Sequence, residues 1–189
     1  MSESDLLRDL FHRRWAMPTL AMLHRWKGAK FVTLHRKLGA SAGSMRTAID
    51  ELCARGLVMK NPGYGHPMRP EYVLTEPGAW IGASCDDLMA ALDSIDARAL
   101  ALAKWSMPTV YALRSGTLRF GQIRDGCPGI TDRSLTQALK RLSATGLVVR
   151  EVSDTYPPSV AYSLTAVATG IADHLINLAE SMRATSVRR

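Results

Sequence analysis

Ile130-Thr131-Asp132-Arg133-Ser134-Leu135-Thr136-Gln137-Ala138-Leu139-Lys140-Arg141-Leu142, running on into Gly146-Leu147-Val148-Val149-Arg150, decides the fold. Leu135, Ala138, Leu139 and Leu142 recur at intervals of three and four, which places them on one apolar helix face. Thr131 is a good N-cap and Gly146 a stop, so the spacing predicts a helix over 131–145. The opposite face carries Arg133, Ser134, Thr136, Gln137, Lys140 and Arg141. Amide and hydroxyl groups can read base edges, and cations can hold phosphates. A basic helix face is more often a plain solvated surface; the setting raises this one. A shorter apolar segment, 118–125, reads as a preceding helix, joined by the turn Gly126-Cys127-Pro128-Gly129. A strand bearing Arg150, a Pro-rich turn and a second strand follow. Helix-turn-helix plus β-hairpin is the winged-helix plan, whose second helix enters the major groove.

The upstream half reads the same way. A first helix opens at Ser4-Asp5 with Leu6, Leu7, Leu10, Phe11 and Trp15 as its apolar positions, and Met17-Pro18 interrupts it. Helices follow through Leu20 and Leu23, over 31–38, and through Met45, Ile49 and Leu52 to Gly56. Leu57-Val58-Met59-Lys60 and Glu71-Tyr72-Val73-Leu74-Thr75 read as strands around the turn-rich Asn61-Pro62-Gly63-Tyr64-Gly65-His66-Pro67. The two halves register at a fixed offset of 90 residues. Trp15 matches Trp105, Met17-Pro18 matches Met107-Pro108, and Gly56-Leu57-Val58 matches Gly146-Leu147-Val148. Pro67 matches Pro157, Tyr72 matches Tyr162, and Leu74-Thr75 matches Leu164-Thr165. So many agreements at one offset read as an internal duplication.

Between the repeats, Ser84-Cys85-Asp86-Asp87 resembles a capping box, and Leu88, Leu92, Ile95, Ala99 and Leu102 alternate four and three residues. Ile171, Leu175, Leu178 and Met182 form a similar stripe near the C-terminus, and residues after about Arg183 read as frayed. The expected architecture is mainly α with small β wings (α+β). A divergent first winged-helix repeat spans 1–83, a linker helix 84–104, and a second repeat with a C-terminal packing helix 105–189. The linker helix would be about 30 Å long at ~1.5 Å per residue.

The chain has 189 residues, enough for one ordinary domain or two small ones, and 47% hydrophobic content supplies a core. Its net charge of +7 favours an anionic partner such as nucleic acid, and both halves share the excess. Cys53, Cys85 and Cys127 are widely spaced, without metal-ligand spacing, which points to a reduced, cytoplasmic protein with no metal and no cofactor. An acidic N-terminus is unlike a signal peptide, and no apolar run is long enough to span a membrane. The histidines are scattered, and H-E-x-x-H, P-loop, G-x-S-x-G and dinucleotide fingerprints are absent, which argues against an enzyme.

Lys104-Trp105, Leu113, Gly116, Arg119-Phe120, Ile123, Pro128-Gly129-Ile130, Leu135, Leu139, Leu142, Gly146-Leu147-Val148, Arg150, Pro157-Pro158 and Tyr162-Ser163-Leu164-Thr165 closely resemble the HxlR-type winged helix-turn-helix transcriptional regulators. The resemblance covers about 100–182. Residues 10–93 look like a second, weaker copy that keeps Trp15, Lys30-Phe31, Gly56-Leu57-Val58, Pro67, Tyr72, Leu74-Thr75 and Gly78 but lacks the Pro-Gly-Ile turn. The resemblance implies a single-unit protein that binds DNA as a homodimer through its terminal helices. A tandem copy departs from that, so one chain can supply both halves. Some members sense oxidants through a cysteine in the helix preceding the Trp; residues 97–104 and those before Trp15 contain none. Cys85 and Cys127 are more simply core thiols.

These readings make the chain a sequence-specific DNA-binding transcriptional regulator, a repressor by expectation, with double-stranded DNA as partner. Repeat 2 would read bases with Arg133, Ser134, Thr136 and Gln137 and hold phosphates with Lys140, Arg141 and Arg150. Repeat 1 would contribute Ser44, Arg46 and Thr47 from its own helix and Lys60, His66 and Arg69 from its wing. Asp50 and Glu51 stand where repeat 2 has Lys140 and Arg141, a charge reversal that should weaken docking. The alternative reading is therefore an effector- or protein-binding module whose DNA binding is weak or lost in repeat 1. Trp15, Trp80 and Trp105, with Met17, Met89 and Met107 nearby, outline a candidate small-molecule effector pocket, although such residues are usually plain core. An intrachain pseudo-dimer would present its two recognition helices to successive major grooves roughly 34 Å apart. A homodimer of tandem chains is the rival, since the stripe from Ile171 to Met182 needs a partner.

Overall fold

Local capping sets the element boundaries in the computed structural model, which describes residues 2–62, 70–153, 156 and 158–187. The Ser2 side chain accepts the Asp5 N–H and Asp5 accepts the Ser2 N–H, so helix α1 begins two residues earlier than Asp5 and runs Glu3–Phe11. Helices α2 (Ala16–Trp26), α3 (Phe31–Leu38) and α4 (Ala42–Ala54) follow, then strands β1 (Val58–Lys60) and β2 (Tyr72–Leu74) and helix α5 (Glu76–Asp93). The second half runs α6 (Arg98–Ala101), α7 (Ser106–Ala112), a 3-10 turn (Leu113–Ser115), β3 (Leu118–Arg119), α8 (Phe120–Gly126), α9 (Asp132–Ala144), β4 (Val148–Ser153), β5 (Ser159–Leu164) and α10 (Ala166–Val187).

Equivalent details recur at the offset of 90. Ser41 caps α4 by accepting the Ser44 N–H, and Thr131 caps α9 by accepting the Ser134 N–H. Thr75 donates its hydroxyl to the Gly56 carbonyl at 2.7 Å, and Thr165 donates to that of Gly146 at 3.0 Å. The antiparallel wings share a register: Lys60 pairs with Tyr72 and Arg150 with Tyr162. The wings also differ. β3 adds a third strand in the order β3-β5-β4, whereas Ala29 makes only an isolated bridge to Tyr72.

One apolar cluster runs through both halves. α5 packs against α2 and α10, and α1 packs against α10 and α7. Ile171, Leu175, Leu178 and Met182 are buried there within the chain. Each such side chain contributes roughly 1.5–3 kcal/mol relative to its exposed state. Polar ties cross the same seam: the Ser84 and Ser181 hydroxyls lie 2.9 Å apart, and the Tyr111 hydroxyl donates to Glu3. Gly78 lets α5 lie on the wing, because a Cβ there would fall 1.8 Å from the Leu57 carbonyl oxygen.

Four expectations need correction. The linker is not one helix over 84–104. α5 starts earlier, where Thr75 accepts the Gly78 N–H and Pro77 occupies the first turn. The chain then breaks through Asp96, at φ 53, before the short α6. Ser84 is therefore mid-helix, and at about 27 Å α5 is the long element of the junction. The stripe turns at the break: Ala99 is exposed, while Ala97, Leu100 and Ala101 are buried. Residues 118–125 are not all helix, because Leu118 and Arg119 pair with β5. The C-terminus is not frayed from Arg183, since α10 continues to Val187 with Thr185 buried.

Candidate nucleic-acid interface

α9 is held by its apolar face. Leu135, Ala138, Leu139 and Leu142 are each at most 4% exposed, and the helix packs on α7 and β4. That packing leaves Arg133, Thr136, Gln137, Lys140 and Arg141 exposed, with Ser134 half-buried. Their chemical availability differs. The Ser134 hydroxyl accepts a hydrogen bond from the Thr131 hydroxyl at 3.0 Å, and the Thr136 hydroxyl donates to the Asp132 carbonyl at 2.8 Å. Arg133, Gln137, Lys140 and Arg141 have no side-chain partner among the described residues. The outward face thus offers one amide and three cations free to meet a ligand.

In the first half, α4 has a comparable layout with different side chains. Ser44, Arg46 and Thr47 are exposed on α4, and Met45, Ala48, Ile49 and Leu52 are buried beneath them. Ser44 is engaged with the Ser41 cap, and the Thr47 hydroxyl donates to the Gly43 carbonyl. The Arg46 guanidinium sits 4.3 Å from the centre of the Phe31 ring. Lys60 and Arg150 are exposed at matching positions of the two wings. His66 and Arg69 lie outside the described residues.

The acidic pair on α4 is less opposed to an anion than its sequence implies. The Glu51 carboxylate is bonded by Arg13 from the α1–α2 corner and by Arg55 at 2.7 Å. With Asp50 counted, the two arginines bring that end of α4 to neutrality. Sequence reasoning missed this corner, where His12, Arg13 and Arg14 are exposed. A signal was present: Arg14 and Lys104 precede the two matched tryptophans, and each cation lies 4.9 Å from the ring centre of its neighbour, Trp15 or Trp105.

The three tryptophans of the expected effector pocket do not converge. Trp15 lines a groove with Ser44 and Thr47, Trp105 lines another with Glu51 and Arg55, and Trp80 lies on α5, 38% exposed, in neither. A small cavity of about 60 Å³ lies elsewhere, between Met22, Trp26 and Met89 on one side and the Arg25–Asp86 ion pair on the other. Burial raises all three thiols above their usual range: Cys127 to about 11, Cys85 further, and Cys53 with help from Asp50. Among the described residues no three His, Cys, Asp or Glu side chains gather as a metal site. No described helix is long and apolar enough to cross a membrane.

The family model described as HxlR-like helix-turn-helix matches residues 100–186, the segment that contains α9 and its wing. The uncharacterized HTH-type transcriptional regulator YybR of Bacillus subtilis is 47% identical over 62 residues, which is 33% of this chain and 50% of that protein. The uncharacterized HTH-type transcriptional regulator YtfH of Escherichia coli is 32% identical over 77 residues, 41% of this chain and 61% of that protein. Among solved structures, the redox regulator HypR in its oxidized form is 34% identical, with 52% of this chain and 95% of that chain covered, at a TM-score of 0.43. The chain spans about half the length of the curated relatives it matches. Residues 100–186 are thus an HxlR-like helix-turn-helix domain with relatives among transcriptional regulators.

Proposed function

We propose that the chain is a sequence-specific DNA-binding transcriptional regulator of the repressor type, in which two winged units of a duplicated chain act as a covalent pseudo-dimer. The observation that carries this reading is the outward face of α9. Arg133, Gln137, Lys140 and Arg141 project from a capped helix without partners among the described residues. α9 reads bases in one half-site, and α4 supplies the weaker half. The burial of the C-terminal stripe against α5 and α1 supports one chain per site. The alternative, a module whose first repeat has lost DNA binding, draws on the charges of Asp50 and Glu51; two arginines engage the Glu51 carboxylate, while Asp50 stays exposed and keeps that reading in play.

Footprinting on DNA upstream of its own gene tests the function, and light scattering of the complex tests the stoichiometry. Protection of an imperfect palindrome by one chain is the expected result. No protection of any upstream segment refutes DNA reading. Two chains on a perfectly symmetric site refute the pseudo-dimer.

A further inference from the structure

Three open grooves meet at the α1–α2 corner. The first runs from His12, Arg13 and Arg14 to Ser44 and Thr47 on the exposed face of α4. The second joins Arg14 to Arg141 and Thr145 at the far end of α9, in the other half. The third joins His12 to Lys104 and Gly129. The corner therefore fills the space between the two reading helices, and it belongs to both grooves that border them.

Its charge is largely uncompensated. Arg14 and Lys104 each rest 4.9 Å from an indole centre, which restrains the side chain without neutralising it. Neither has an acidic partner among the described residues. The carboxylates that border the grooves are already occupied: Asp9 by Arg8 at 2.9 Å, and Glu51 by Arg13 and Arg55. A duplex lying across α4 and α9 would bring its phosphates over this surface, and a stacked cation suits a phosphate because its outer edge stays open for hydrogen bonding.

We propose that the corner docks the phosphodiester backbone at the centre of the site, between the two half-sites, with Arg14 and Lys104 as its anchoring cations. The inference rests on the DNA-binding reading above. It also gives the first half a sequence-independent grip that offsets its poorer reading helix. Because Arg14 belongs to one half and borders α9 of the other, a phosphate held there couples the two sets of contacts.

The test uses the full chain, a 40-base-pair duplex from the footprinted upstream region, and a random duplex of equal length. Arg14→Ala and Lys104→Ala should each flatten log K against log salt by about 0.9, on both duplexes alike. Each should cost on the order of tenfold in affinity at 0.1 M salt by the same counterion release. Hydroxyl-radical protection at the centre should fade while the flanking protections persist, and Arg14→Lys should restore the slope. Circular dichroism melts of the variants confirm that both are folded. Wild-type slope and central protection in both folded alanine variants would overturn the corner's role. Failure of the wild-type chain to bind either duplex would instead overturn the DNA-binding reading beneath it.

Discussion

Gln137→Ala isolates base reading from every other contribution of α9. The side chain is exposed and has no partner among the described residues, so its two amide donors and its carbonyl are unspent. Truncation therefore breaks no contact in the free protein. Alanine is a good helix former, and surface changes of this kind stay within about 0.5 kcal/mol of neutral for stability. A bidentate amide–base contact supplies about 1–3 kcal/mol of discrimination, which is roughly 5- to 160-fold in Kd. Anisotropy titrations on the footprinted duplex and on a scrambled one, at a single salt concentration, should show the loss on the first duplex alone. Thr136→Val is the internal control. Its hydroxyl proton is committed to the Asp132 carbonyl, so its loss should be the smaller, under about 1.5 kcal/mol. Equal losses on both duplexes, or a Thr136→Val effect larger than that of Gln137→Ala, would refute the reasoning.

Lys140→Ala or Arg141→Ala should lower the slope of log K against log salt by about one; an unchanged slope would make both plain solvated charges. Burial first, and its hydrogen bond to Glu3 second, push the Tyr111 phenol up to about 12. The folded chain thus keeps a proton that the unfolded chain, near 10, has lost, so stability is intact below pH 10 and falls from there toward 12. Tyr111→Phe should flatten that alkaline loss in denaturant titrations run from about one pH unit below the onset up to about 12. Gly78→Ala drives a Cβ into the Leu57 carbonyl and should cost about 1–3 kcal/mol or more, lowering the melting temperature by at least about 2 °C. A variant with Cys53, Cys85 and Cys127 all replaced by Ala should keep its DNA affinity, and mild oxidant should not switch the native chain, because few of its thiols ionise at neutral pH. Reversible, cysteine-dependent release would show otherwise.

The helix at 132–144 was legible because three local signals agree: the apolar spacing, the Thr131 cap and the Gly146 stop. The linker misled because Ser84-x-x-Asp87 has the form of a helix start, while the start that operates lies at Thr75. The break at Asp96 carries no glycine or proline to announce it; it is closed by Arg98 reaching back to Asp93 at 2.6 Å. Arg13 and Glu51 stand 38 residues apart, and only the packing of α2 against α4 brings them together. A pairing of that range leaves no mark on periodicity, so the two arginines on Glu51 could not be read from the sequence of α4. The tryptophans were counted correctly and assigned to one pocket wrongly, because composition does not say which way a helix face turns.

On the one-chain pseudo-dimer proposed above, the buried seam between α10 and its partners α5 and α1 would also shape a dose response. Separate subunits that must meet before they grip a site fill it as the square of their number when they are scarce, which creates a threshold. In that arrangement the seam is closed by the chain that carries it, so the first copy synthesised would already be competent. Site filling would then follow a simple hyperbola in copy number, without a lag on dilution. A gene under such control would respond in graded steps to every molecule made.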